Sequence, residues 1–208
     1  ATQDVEGQLP ASRNAFATVG TPEAEGADVS SAEGFQFGWR GTDTGQMNSL
    51  RLAAPQAATD EARSSVERAI TSLTALPVVF PEEEIGLGAR WSVESRVTGE
   101  STLLQTTTYT LDSLDGDSAT LNVSVEQRPS LGALSFDAAD APEELRGKEL
   151  KVVDTATKSE GSVTVDLSKP LPTAGEVSVT TVISYGAEGS DLRVVQASAT
   201  DMEFASRE

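Results

Sequence analysis

Apolar and polar side chains alternate over much of the chain after residue 34, which is the pattern of strands with one buried face. The clearest run places its apolar residues at every second position: Ala119, Leu121, Val123 and Val125. Runs of this kind predict about nine strands in hairpin succession. The pair Asp115-Gly116 predicts a tight hairpin turn, and Gly161 and Gly175 predict turns between later strands.

One segment has helical spacing instead. Between Pro55 and Ala75 the apolar residues recur three or four positions apart: Ala62, Val66, Ala69, Ile70 and Leu73. Charged and polar side chains occupy the opposite face, and Pro77 requires the helix to end before it. A single amphipathic helix is therefore predicted over about residues 56–75.

These elements predict an α+β fold that is mostly β. We expect a strongly curved antiparallel sheet, or an open half-barrel, packed on the one long helix. No strand–helix–strand alternation occurs, which argues against a parallel doubly wound sheet. Residues 34–208 are expected to form this single domain. Residues 1–33 are predicted to be a loosely held N-terminal leader or spacer, in which residues 15–19 could dock as an edge strand.

The composition excludes several kinds of chemistry. The 208 residues contain no histidine and no cysteine, which excludes Ser-His-Asp and Cys-His catalysis, zinc sites with the usual ligands and thiol redox reactions. With 15 basic and 33 acidic residues the formal net charge is -18, so a nucleic acid would be repelled. No apolar run is long enough to span a bilayer. No cofactor is expected.

Two acidic clusters are the candidates for a calcium site, since calcium prefers carboxylate and carbonyl oxygens. The candidate residues are Glu82, Glu83, Glu84, Asp112, Asp115 and Asp117. Neither cluster has the alternating spacing of an EF-hand loop, and turn chemistry accounts for the acidic residues that flank Gly116. The sequence therefore predicts no metal site.

The segment from Leu76 to Trp91, LPVVFPEEEIGLGARW, resembles a signature of exported bacterial lipoproteins of unknown function that are common in actinobacteria. In that signature a helix ends in a Pro-flanked acidic loop, and a Gly-x-Gly-Ala-x-Trp run opens a strand. Residues 105–117 and 161–172 fit the same resemblance, which covers about residues 35–205. It implies an extracytoplasmic location, in the cell envelope or secreted, and a lipid anchor, which would lie upstream of Ala1 because the chain has no cysteine. It implies no activity and supplies no catalytic residues.

Three functions stay open. The favoured one is a non-catalytic binding or accessory scaffold component of an envelope protein complex, which predicts a filled core and an exposed apolar patch. The alternative is a carrier or sensor of an amphiphile or lipid in the concavity of the sheet, which predicts a continuous apolar cavity. The candidate cavity residues are Val66, Ile70, Leu73, Trp91, Val93, Leu121 and Val123. The lesser alternative is a carboxylate-based hydrolase, for which no pair of acids is singled out.

Overall fold

The computed structural model describes residues 2–5, 12–24, 26–74, 76–98, 102–135, 145–146, 148–169, 171–187, 189 and 191–206. Within these residues the chain is mostly β and contains two antiparallel sheets and a single α-helix. The chain divides into two compact units. The first extends to Gly86 and includes Asp166–Leu171, and the second contains Leu87–Val165 and the chain from Pro172 onward.

The first unit contains four strands and the helix: β1 (Thr2–Val5), β2 (Ser12–Thr18), β3 (Gln36–Gly41), β4 (Met47–Ala53) and α1 (Asp60–Thr74). The strands pair antiparallel in chain order, so each strand lies beside its neighbour in sequence. This sheet is separate from the later strands, whereas the sequence predicted one sheet. The physical reason is local pairing, since each of the strands β1–β4 completes its hydrogen bonds with its neighbour in sequence.

The helix α1 begins at Asp60, four residues later than predicted, because Thr59 caps it. The Thr59 hydroxyl accepts a hydrogen bond from the Ala62 N–H at 3.2 Å, which satisfies one of the unpaired donors of the first turn. Just upstream, the Ala58 N–H donates to the Pro55 carbonyl at 3.1 Å, so the residues before the cap form a separate turn.

The buried face of α1 packs on a short segment that contains a 3₁₀ turn at Ser30–Ala32. Ala62, Val66 and Ile70 lie one turn apart on the helix and are all buried. They form one cluster with Val29, Ala32 and Phe35, and half-buried Phe37 of β3 packs against it. The apolar stripe read from the sequence is therefore the buried stripe of the helix, except that Ala69 is exposed.

The second unit contains the other strands: β5 (Arg90–Thr98), β6 (Thr102–Asp115), β7 (Ser118–Pro129), β8 (Ala133–Ser135), β9 (Glu149–Asp166), β10 (Ala174–Gly186) and β11 (Arg193–Ala205). Their order is β11-β10-β9-β7-β6-β5, with β8 paired to β9. The sheet is not closed, because its end strands β5 and β11 are not paired with each other. The hairpin predicted at Asp115-Gly116 is confirmed: Gly116 and Asp117 form the turn between β6 and β7.

No turn occurs at Gly161, where the sequence predicted one. Strand β9 runs through it without interruption, and Gly161 lies opposite Val177 of β10. A Cβ atom on Gly161 would lie only 2.6 Å from the Val177 Cα, and one on Gly175 only 2.7 Å from the Val163 Cα. The two glycines therefore allow β9 and β10 to approach closely, which is a known role of glycine inside a strand.

Hydroxyl groups connect β7 to β9 at the middle of the sheet. The Ser159 hydroxyl donates to the Val125 carbonyl at 2.9 Å and accepts from the Val125 N–H at 2.7 Å. The Thr157 hydroxyl makes the same pair of bonds with the Gln127 backbone, at 3.2 and 3.1 Å. In a regular ladder the N–H and C=O groups of Val125 and Gln127 would bond to the backbone of the neighbouring strand. Here the two hydroxyl groups satisfy them instead.

Two glutamines carry this polar connection into the core of the second unit. The Gln127 amide donates to the Gln105 side-chain carbonyl at 2.7 Å and accepts from the Thr181 hydroxyl at 2.6 Å. Gln105 and Thr181 are buried. Because each amide and hydroxyl has a partner, these groups can occupy positions on the apolar face of the strands without a large desolvation penalty.

Tyr109 is, with Tyr185, one of the two largest fully buried side chains in the described part of the second unit. Its ring lies 5.7 Å from the ring of Trp91, which is the residue opposite it on β5. Burial disfavours the charged phenolate, and this raises the pKa of Tyr109 above its ordinary value of 10.0. Tyr185, also buried, has its pKa raised for the same reason.

The glycine contact between β9 and β10 predicts the effect of adding one methyl group. Gly175 has a φ of +120° and no room for a Cβ, so Gly175→Ala should lower the free energy of unfolding by about 1–3 kcal/mol. Chemical denaturation followed by circular dichroism measures this change. Gly132→Ala is the matched control because a Cβ there meets no atom within 4 Å. A loss of stability that is equal in the two variants would contradict the explanation.

The buried tyrosines predict a loss of stability at alkaline pH. An unfolded tyrosine releases its proton near pH 10, whereas Tyr109 in the folded state retains it at that pH. Below about pH 10 this group has no effect on stability, and above it the free energy of unfolding should fall by about 1.4 kcal/mol per pH unit. Denaturant unfolding between about pH 9 and pH 11.5 should show a shallower slope in Tyr109→Phe than in the wild type. Equal slopes would refute the assignment to Tyr109.

Candidate functional site

The seven residues predicted to line a cavity divide between the two units. Val66 and Ile70 of α1 are buried in the first unit, where they pack with Phe35, and Leu73 is half-buried. The other four predicted residues belong to strands and lie in the second unit. Each group is therefore accounted for by packing within its own unit, and the shared cavity remains a prediction.

The four strand residues of this set belong to β5 and β7, on either side of β6. Leu121 and Val123 of β7 are buried, whereas Trp91 and Val93 of β5 are half-buried. Trp91 and Val123 both lie opposite Tyr109, in one row across the three strands. Rows of this kind are the ordinary unit of packing on a sheet face.

The acidic clusters are exposed at two separate places. Glu82, Glu83 and Glu84 follow the segment in which the Phe80 N–H donates to the Thr44 carbonyl at 2.8 Å. The other three lie at the β6–β7 hairpin: Asp112, Asp115 and Asp117. Among the described residues, which include all six, no group of three or more acidic side chains is placed to hold a metal ion.

The Asp112 carboxylate accepts a hydrogen bond from the Asn122 amide at 3.3 Å, and the β6–β7 register shifts by one residue at this point. Asp112 therefore belongs to a bulge in the hairpin, where turn and bulge geometry explain its position. The geometry adds no support to the calcium hypothesis.

An open groove of about 720 Å³ lies on the first sheet, over β2, β3 and β4. Two cross-strand rows define it: Phe16, Gly38 and Arg51 lie opposite one another, and Arg40 lies opposite Ser49. Since side chains alternate between the faces of a strand, these residues share one face. We refer to it below as the Phe16 face. The groove has a size typical of small-molecule and peptide sites.

Phe16 is 64% exposed although it is a large apolar residue. Its ring lies over Gly38: a Cβ atom on that glycine would be 2.7 Å from the Phe16 Cδ1 atom. The ring thus covers a gap in the side-chain layer of β3, and its outer surface remains accessible to a ligand.

Arg40 and Arg51 lie diagonally from each other on the Phe16 face, since Arg40 pairs with Ser49 and Arg51 pairs with Gly38. Arg51 is exposed and Arg40 is half-buried. None of the twelve residues that line the groove is acidic, although acidic residues outnumber basic ones by more than two to one in the chain. The residues that line the groove therefore include two basic side chains and no acidic one.

This arrangement has the chemistry of a binding surface. Guanidinium groups bind carboxylates and phosphates through two parallel hydrogen bonds, and an aromatic face adds apolar contact. The lining offers hydroxyl and amide groups from Thr18, Gln36 and Ser49, but no carboxylate that could serve as a general acid or base.

The carboxyl groups with clearly shifted pKa values lie elsewhere. Among the described residues these are Asp28 and Asp166, whose pKa values are lowered by hydrogen bonds from the side chain and backbone of Ser30 and Ser168 respectively. A carboxylic acid that donates a proton to substrate near neutral pH needs a raised pKa instead. Each of these two carboxylates therefore stabilises the turn in which it lies, by accepting hydrogen bonds from the serine two positions later.

Sequence reasoning did not find the groove. The sequence pattern places Phe16 in the predicted leader, within residues 15–19 that could dock as an edge strand, and gives no reason to bring it to Gly38. The one available signal was Gly38, since a glycine inside a strand indicates a close approach by another group. The partner, Phe16, lies 22 positions earlier in the chain, and only the strand pairing brings them together.

The described residues contain no helix that is long and apolar enough to cross a lipid bilayer.

Comparison with known proteins relates part of the chain to a family model. A model for a family of unknown function, DUF6263, matches residues 61–171, which run from the first turn of α1 through β9. No curated protein and no solved structure matches the chain. The groove residues, from Phe16 to Ala53, precede the matched segment. Because the match covers more than half of the 208 residues, the protein belongs to the DUF6263 family.

Proposed function

We propose that this protein is a non-catalytic binding protein that holds an anionic ligand or partner on the Phe16 face of its first sheet. The observation that carries the proposal is the combination of an exposed aromatic ring with two arginines in a groove that has no acidic lining residue. Carboxylate and phosphate groups share the chemistry that this pair of arginines recognises.

The packing of each unit favours a binding or scaffold role over a carrier of amphiphiles. A carrier needs an enclosed apolar cavity, whereas the groove is open and has arginine, glutamine, serine and threonine in its lining. The helix face that was expected to line such a cavity is occupied by Val29, Ala32 and Phe35. A sheet that curves around a bound lipid belongs to the alternative proposal, in which the protein is a carrier or sensor of an amphiphile.

We also propose that the protein is located outside the cytoplasm, either in the cell envelope or secreted. There it would be an accessory component of an envelope complex. The resemblance of residues 76–91 to exported lipoproteins supports it. The absence of cysteine is compatible with it, since an oxidising compartment then has no thiol to modify.

The binding proposal can be tested with anilinonaphthalene sulfonate, a fluorescent probe that is both aromatic and anionic. Phe16→Ala and Arg51→Gln should each weaken its binding about three- to tenfold, because one removes the apolar contact and the other a charge pair. Leu131→Ala and Arg96→Gln are matched controls, since both change exposed residues of the second unit. If all four variants bind the probe as the wild type does, the groove is not the binding surface.

The proposed location can be tested by fractionation of the cells that make the protein. We expect it in the membrane-associated or secreted fraction, and accessible to protease added outside intact cells. A protein found in the soluble cytoplasmic fraction and protected from external protease would contradict the envelope proposal, with a cytoplasmic marker as the control.

A further inference from the structure

Strand β4 is an end strand of the first sheet within the described residues, and it is exposed along nearly its whole length. Every residue from Asn48 to Ala53 is exposed. An end strand presents N–H and C=O groups that can pair with another extended chain. Natural proteins use such edges to bind peptides by adding a strand.

The two faces of β4 differ in character. Leu50 lies opposite Trp39 and Leu52 lies opposite Phe37, so these residues share the apolar face of the sheet. Leu50 and Leu52 are nonetheless 36% and 41% exposed. Arg51 lies on the other face, beside the groove. A strand added next to β4 would thus place alternate side chains against two leucines and against an arginine.

The edge of β4 lacks the features that usually prevent strand addition. Proline, lysine and closely spaced charges protect an end strand, and β4 contains only one charged residue, Arg51. The end strand β5 of the second sheet is different, because Arg90, Glu94 and Arg96 are exposed along it. Within the described residues, β4 is therefore the edge better suited to a partner.

We infer that β4 binds an extended segment of a partner protein whose residues alternate between apolar and acidic, and that this segment forms a fifth strand beside it. Its apolar residues would cover Leu50 and Leu52, and its acidic residues would face Arg51 and the groove that includes Arg40. The inference rests on the proposed function, since it names the anionic ligand as the acidic side chains of a protein.

Charge favours a partner protein over a second copy of this chain. Each copy carries a net charge of -18, so two copies repel each other. The end strand β11 does offer an acidic and apolar pattern of its own, since exposed Glu203 lies between half-buried Met202 and Phe204. The experiment must therefore distinguish binding of a partner segment to β4 from pairing of β4 with β11 of a second copy.

The test uses the full chain and a synthetic peptide that alternates valine and glutamate, labelled for fluorescence anisotropy. The reference peptides are one that alternates valine and lysine and one with the same composition in blocks. Hydrogen exchange followed by mass spectrometry reports whether amides of residues 48–53 become protected. We expect binding of the alternating acidic peptide alone, protection of β4, and about tenfold weaker binding in Arg51→Glu.

Arg96→Glu on β5 is the matched control, because it reverses the charge of an exposed arginine on another end strand. Equal loss of affinity in both variants would overturn the inference, as would peptide binding without protection of residues 48–53. If anilinonaphthalene sulfonate binds the groove but the peptide does not, the strand proposal fails while the proposed function stands. Concentration-dependent self-association in sedimentation, abolished both by Glu203→Lys and by Arg51→Glu, would show that β4 pairs with β11 of a second copy and would also overturn the inference.

Discussion

The register of the antiparallel strands is the constraint on which both sheets and the candidate site depend. A shift of one residue would move every side chain of a strand to the opposite face. The observed pairing of Phe16 with Gly38 and of Gly38 with Arg51 places an aromatic ring and a cation on one face of the first sheet. The same pairing directs Leu50 and Leu52 to the other face. The groove on the Phe16 face and the two leucines on the opposite face of β4 therefore both follow from one register.

In the second unit the register also decides where polar groups can be buried. Gln105 and Thr107 belong to the same every-second-residue series as Leu103 and Tyr109, so they lie on the apolar face of β6. They are tolerated there because Gln127 reaches across from β7 and joins Gln105 to the Thr181 hydroxyl. Such networks favour one arrangement of strands over others, since a shifted register would leave their amides without partners.

Charge has different effects at long and short range in this protein. The net charge of -18 generates repulsion between copies of the chain and between the chain and other polyanions such as nucleic acids. At short range Arg40 and Arg51 place two basic side chains in a groove without acidic lining residues. In the proposed function, the net charge of the whole molecule would slow the approach of an anionic partner and the arginines would bind it, which favours a segment with few, well-placed carboxylates.

The sequence by itself determined the strand-rich character, the buried stripe of α1 and the β6–β7 turn at Gly116, because each depends on side chains that are close together in the chain. It could not determine that β1–β4 form a separate sheet or that Gly161 lies inside β9, because a glycine signals a turn and a close strand contact equally well. The candidate site was decided by tertiary structure alone. Phe16, Gly38 and Arg51 come from three strands, and only the hydrogen-bonded register between those strands fixes which of their side chains meet.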